Sequence, residues 1–286
     1  MRSLASFLIA TFLWSCGPQP DAARPALWEV SGPQGGTAWL FGTIHALEKP
    51  AAWRGAEINN ALERTDLLLV EIIALDDPQQ QKSIFDGLAR SPGQGLLSPR
   101  IDPALRPALL RLLNSHGLKD TQFAQTETWA AALTLAQAET QHLNSKFGID
   151  RAVLEAAKGK PVEELEGVLA QLSVFDNLPA TEQSDLLAAV VTDADKTGAD
   201  AAALAAAWRT GQMDVIALET ERGMMSDPEL RAALLINRNH SWAVRINAAI
   251  QSGKQPFVAV GAAHMAGPEG LPALLAARGY TVRRIQ

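Results

Sequence analysis

Five histidines occur in the 286-residue chain, and two share one local setting, Gly42-Thr-Ile-His45 and Gly261-Ala-Ala-His264. Each follows a short apolar run, Trp39–Phe41 or Phe257–Val260. Glutamate stands just past two further stretches: Glu71 after Leu67–Val70, and Glu163, Glu164 and Glu166 after Pro161–Val162. Imidazole and carboxylate together can bind a divalent cation or move protons near neutral pH. A glycine at the strand end lets the backbone turn sharply or approach a ligand closely. Ligands of open α/β sheets bind outside the carboxyl ends of the strands, so these segments could build one site. A lone histidine at a strand end is more often a hydrogen-bonded core residue; two Gly-x-x-His units plus Glu71 reverse that balance.

Spacing alone does not say whether a metal is involved. The chain has no His-Glu-x-x-His and no Cys/His cluster with zinc-ligand spacing. It also lacks a phosphate-cradling Gly-x-x-x-x-Gly-Lys, a Gly-x-Ser-x-Gly elbow and a dinucleotide fingerprint after a strand. A second polar group is Arg238-Asn239-His240-Ser-Trp242, in which helical spacing puts Arg238, Trp242 and Arg245 on one face. Spacing by itself favours a solvated basic face with Trp242 turned inward. The functional alternative has Arg238 or Asn239 reaching the strand-end cluster to hold a carboxylate or a developing oxyanion. His116, His142 and His240 read as structural.

The elements that must position these residues follow from pattern. Leu27–Val30 and Thr37–Phe41, separated by a Gly/Pro-rich turn, predict a hairpin. Trp53–Arg64 has helical spacing and leads into the apolar run 66–71, which suits a strand buried on both faces of a parallel sheet. The stretch from Pro78 to about Phe147 reads as helix with breaks at Ser91-Pro-Gly, Pro103 and Gly117. A short helix over Arg151–Lys158 and a strand over Lys160–Leu165 come next, then helices from Gly167 to Gly253. The last of these is capped by Asp227, with Pro228 in its first turn. Strand Pro256–Val260, a helix near Leu271–Arg278 and strand Tyr280–Arg284 close the chain. The expected fold is α/β, a central mixed sheet formed by N- and C-terminal strands with a large helical insertion.

Hydrophobic residues make up 47% of the chain, ample for a large core. A net charge of −6 without a basic patch argues against nucleic acid as a partner. Arg2 followed by the apolar run Leu4–Leu13 reads as a signal peptide, too short to span a bilayer. Cys16, the sole cysteine, excludes an internal disulfide and falls where a bacterial lipoprotein signal places its lipidated residue. The division expected is a leader over 1–15, a tether over 16–26 and an α/β domain over 27–286, lipid-anchored through Cys16 to a bacterial membrane and facing the periplasm.

At these residues the chain resembles the TraB/GumN family, within the wider group of Tiki proteases and erythromycin-esterase-like proteins. The resemblance is carried by Leu40-Phe-Gly-Thr-Ile-His45, Val70-Glu71, Gly159-Lys-Pro-Val-Glu-Glu-Leu-Glu166, Arg238-Asn239-x-x-Trp242 and Val258-Ala-Val-Gly-Ala-Ala-His-Met-Ala-Gly267. It continues through Gly270–Leu275 and Arg278–Val282. It implies that His45, Glu71, His264, Arg238 and Asn239 are catalytic, and that His45, His264 and Glu71 or Glu166 hold a divalent metal ion. Met265 and Gly167 depart from the common pattern, Leu and Thr respectively, without removing a polar group that the proposed site uses. The activity implied is metal-dependent hydrolysis of a peptide or ester. A metal-free version keeps one histidine as general base with Glu71 as its partner. The alternative is a periplasmic binding or regulatory lipoprotein that uses the same cleft without turnover.

Overall fold

A computed structural model describes residues 19–286 apart from Gln34 and Asp76; the leader and Cys16 lie outside the described residues. Eight strands are formed in chain order: β1 Asp21–Ala22, β2 Leu27–Ser31, β3 Thr37–Thr43, β4 Ala51–Ala52, β5 Leu67–Val70, β6 Val162–Glu164, β7 Pro256–Gly261 and β8 Thr281–Arg284. Six of them make one sheet in the order β6-β5-β7-β3-β2-β8. β6, β5, β7 and β3 are mutually parallel, while β2 pairs antiparallel with both β3 and β8. The sheet is therefore mixed and joins strands from both ends of the chain, as its pattern predicts.

The apolar runs explain the order. Every residue of β5 and β7 is buried, which only a central strand covered on both faces requires. Successive side chains of β5 point to opposite faces. Leu68 and Val70 join Phe41, Trp53, Trp208 and Phe257 on one side, whereas Leu67 and Leu69 join Leu40, Trp242 and Val258 on the other. Parallel neighbours need crossovers. Helix Ala56–Arg64 lies between β3 and β5, and the helices between Pro78 and Ala156 connect β5 to β6. Those from Gly167 to Gln251 connect β6 to β7. The helical insertion is thus made of crossover connections, and it has a core of its own around Leu109, Trp129, Leu135, Leu187 and Leu230.

One expectation is refined. The last long helix is not uniform: Asp227 caps Pro228–Arg231 by accepting from Leu230 N at 2.9 Å, a π turn follows over Ala232–Ile236, and only then comes Asn237–Gln251. A π turn shifts the helical phase of the residues after it and is common at functional sites; here Arg238 and Asn239 come directly after it. Residues 21–26 pack on the rest of the fold: β1 pairs with β4, Arg24 N donates to Arg209 O at 2.6 Å and Ala26 is buried. Among the described residues no helix is long and apolar enough to cross a membrane.

Candidate active site

Parallel pairing aligns the strand ends. Thr43 of β3 is opposite Gly261 of β7, and Val70 of β5 is opposite both Ala259 of β7 and Glu164 of β6. The segments just beyond, holding His45, Glu71, Glu166 and His264, consequently leave one edge of the sheet together. The sequence expectation that these residues meet despite their separation in the chain is matched by their contacts.

His264 is 6% exposed, on a turn that follows β7. Asn239, fully buried, donates its Nδ2 to the carbonyl of Glu269 at 2.8 Å, which can only accept. Its Oδ1 therefore faces His264 Nδ1 at 2.6 Å, so Nδ1 carries the proton and Nε2 the lone pair. Burial pushes the His264 pKa well below 6.5, and Arg238 and His45 act in the same direction. His264 is neutral at neutral pH.

His45 is in the opposite state. Its Nδ1 lies 2.9 Å from Asp150 Oδ2, and Thr43 Oγ1 donates to Asp150 Oδ1 at 2.5 Å. The Asp150 carboxylate raises His45 to about 9 against the desolvation that lowers it. Asp150 itself is held low: burial would raise it, but His45 and the bonds from His45 and Thr43 prevail. The His45 side chain is 68% exposed, so solvent screens this pair and limits what it adds to stability. With Nδ1 occupied, Nε2 is the ring nitrogen left for chemistry.

Glu71 is 7% exposed, yet each oxygen is satisfied. Oε1 accepts Gly261 N at 2.6 Å; Oε2 accepts Arg238 Nη2 at 3.0 Å and Gln171 Nε2 at 3.2 Å. Glu166 spends both oxygens on Arg238, at 3.1 Å from Nε and 2.5 Å from Nη2. Arg238 Nη1 donates to Leu234 O at 2.9 Å and lies 3.4 Å from His264 Nε2. All five N–H donors of Arg238 thus have protein acceptors. Its guanidinium also packs 4.7 Å from the Trp242 ring, which meets His264 at a centroid distance of 4.4 Å with the rings tilted by 46°. Arg238 and Asn239 hold other site groups in place, and Arg238 has no donor left for an oxyanion.

His45, Glu71, Asp150 and Gln171 open onto a cleft of about 620 Å³. His45, Glu71 and Asp150 line it on the sheet side; Phe85, Leu133 and Leu172, from the helices that wall it, supply apolar surface opposite. The expectation that the 78–147 helices cover the site edge is met at Phe85 and Leu133. Gly261 sits where the polar groups converge. A Cβ there would come 3.3 Å from Glu71 Oε1, 3.6 Å from His45 Nε2 and 3.7 Å from His264 Cδ2.

That space and the donor types fit a divalent cation. Both histidines have Nδ1 fixed by a side-chain oxygen, the outer-shell arrangement that aims Nε2 at a metal, and a metal on His45 would have to displace the proton that Asp150 holds on that ring. Glu71 Oε1 retains a lone pair beyond its bond to Gly261. Glu166, chelating Arg238, is not free to join them. The donor atoms surround the space without closing to within 4.8 Å of one another, and the guanidinium of Arg238 stands between Glu71 and His264. Among the described residues the carboxylates that do approach so closely are Glu182, Asp227 and Glu229, in the helical region away from the cleft.

Asp150 and Gln171 went unmarked in the sequence. The only signal for Asp150 is Gly148 two residues before it. A Cβ at 148 would collide with the carbonyl of His45, so glycine there lets the 45 and 150 segments touch. His116 pairs with Glu139, and His142 and His240 are exposed away from the site, in keeping with structural roles.

A family-wide sequence profile described as the TraB/PrgY/gumN family matches residues 26–284. The chain is 26% identical over 272 residues to "Uncharacterized protein YbaP" of Shigella flexneri, covering 92% of this chain and 96% of that protein. It is 27% identical over 245 residues to the YbaP of Escherichia coli strain K12, covering 82% and 86% respectively. No solved structure matches it.

Proposed function

We infer from two facts, that the chain belongs to the TraB/PrgY/gumN family and that His45, Glu71 and His264 surround one space beside Gly261, with His45 and Glu71 also lining a cleft, that it is a metal-dependent hydrolase of peptide or ester bonds. The observation that carries this reading is the matched anchoring of the two histidines, Nδ1 to Asp150 and Nδ1 to Asn239, which turns both Nε2 atoms toward one space; a shared ligand there would displace the Nε2 proton of His45 and the Arg238 Nη1 contact of His264. His45, Glu71 and His264 would hold the cation. The chemistry it supplies when bound is Lewis-acid activation of water and of a carbonyl group.

The protein's own residues prepare the rest. Asp150 and Thr43 fix the orientation of the His45 ring. Asn239 selects the His264 tautomer, and burial keeps that ring neutral as a ligand must be. Gly261 N, Gln171 and Arg238 orient the Glu71 carboxylate. Phe85, Leu133 and Leu172 offer an apolar wall that excludes water from a bound substrate.

One observation favours a second reading. A buried carboxylate holding Nδ1 of a cleft-facing histidine is also the arrangement of a general acid–base residue, with Asp150 rather than Glu71 as the partner. Purified protein assayed on peptide and p-nitrophenyl ester substrates separates the two. Metal-dependent hydrolysis predicts loss of activity in EDTA, restoration by a divalent cation, and loss in His45→Ala and His264→Ala. Activity that survives exhaustive EDTA but vanishes in His45→Ala leaves the acid–base reading. Full activity in both variants removes both.

The site would work outside the cytoplasm. The short apolar run Leu4–Leu13 and the single Cys16 support export and lipid anchoring. Labelling with a fatty-acid probe should mark the full chain and not Cys16→Ser; a labelled Cys16→Ser would refute the anchor.

A further inference from the structure

We propose that Arg238, a guanidinium resident between Glu71 and His264, sets how readily a divalent metal enters this site, an inference that rests on the metal-dependent reading above. Arg238 touches two of the three groups that would hold the metal. Its Nη2 is 3.0 Å from Glu71 Oε2 and its Nη1 is 3.4 Å from His264 Nε2. Glu166 grips it through both oxygens, Leu234 O takes a further donor, and the guanidinium packs against Trp242. The side chain is only 14% exposed, so this charge is fixed in place.

Charge and geometry set the consequence. One guanidinium neutralises much of the negative charge that Glu71 and Glu166 bring to a confined space. A metal reaching His264 Nε2 must move Nη1 aside, and it meets a like charge poorly screened by water. Arg238 therefore weakens metal affinity while keeping the carboxylates from repelling one another in the metal-free protein. This also explains why the donors surround the space beside Gly261 yet stay apart.

The test is isothermal titration of EDTA-stripped full-length protein with Zn²⁺ and, separately, Mn²⁺, alongside Arg238→Met and Arg238→Lys, with circular dichroism confirming the fold of each. Arg238→Met should bind at least about tenfold more tightly than wild type, because a like charge is removed and two carboxylates are released. Adding His264→Ala to Arg238→Met should abolish that gain. If Arg238→Met does not fold, Arg238→Lys carries the test. An ammonium cannot contact Glu166, Glu71 and His264 at once, so this variant too should bind more tightly than wild type. Weaker or equal binding by the folded variants, with wild type binding metal, overturns the role of Arg238. Absence of saturable binding in wild type and variants alike would instead remove the metal reading itself.

Discussion

His45 and His264 are the same residue type in opposite electrical states, and the difference comes from what holds Nδ1. Asp150 brings a full negative charge to His45, so the ring keeps its second proton up to about 9. Asn239 brings only a dipole to His264, and burial beside Arg238 keeps that ring neutral. Replacing Asp150 by Asn therefore tests the site without altering any proposed ligand. In Asp150→Asn the His45 pKa, followed by NMR of the ring protons, should fall toward the ordinary histidine value. Because an outer-shell partner is lost, kcat/KM should drop roughly 10- to 100-fold. A drop with no change in the His45 titration would mean that Asp150 acts in another way. Asp150 also marks where residue-level legibility ends. The glycine–histidine segments and Glu71 announce themselves by following apolar runs. Asp150 follows none, and its partner is 105 positions away. The oxyanion role is closed to Arg238 for a related reason: spacing shows that it can reach the cluster, but only the acceptor count shows that its donors are already taken.

Elements turn four separate segments into one site, and one close junction is between β3 and the turn after β7. At Gly42 a Cβ would come 3.0 Å from Ala262 Cα and 3.1 Å from Ala262 Cβ, while the Gly42 carbonyl accepts Trp208 Nε1 at 2.8 Å. Glycine at 42 thus allows the two histidine-bearing strand ends to run side by side. Gly42→Ala should push them apart, costing roughly 1–3 kcal/mol in urea unfolding as overpacking does. It should also reduce metal binding and activity together, since the spacing of His45 and His264 depends on this contact. Wild-type stability and activity in Gly42→Ala would show that the junction has room to give. The strands are legible because burial on both faces leaves continuous apolar runs, as in β5 and β7. Helix ends with Pro or Gly are legible as well, Pro78 and Gly253 among them. The π turn at Ala232–Ile236 is not, because its composition matches that of any apolar helical turn.

For the whole molecule, the two histidines make opposite demands on pH. The folded pKa of His45 lies at about 9, above its ordinary 6.5. Its pairing with Asp150 contributes fully below about 6.5, and the contribution is lost as pH rises toward 9. The folded pKa of His264 lies below 6.5, so an unfolded chain binds a proton there that the folded chain refuses. That group favours the folded state above 6.5 and penalises it as pH falls. Groups facing the pair are shared, since Arg238 lowers both, Glu71 raises His45, and His45 lowers His264. Urea unfolding between about pH 5 and 9.5 in EDTA, for wild type, His45→Gln and His264→Gln, reads these terms without a metal. Relative to wild type, His45→Gln should lose most stability at the acid end and little at the alkaline end, because only at the acid end is the imidazolium–carboxylate pair intact in the parent. His264→Gln should behave in reverse, its deficit shrinking or changing sign below 6.5, because glutamine cannot take up the proton that the buried imidazole rejects. Solvent over the exposed His45 ring makes its effect the smaller of the two. Profiles that stay parallel to wild type across the range would show that neither histidine changes its charge state on folding, and the assignment of His45 as cation and His264 as neutral base would have to be withdrawn.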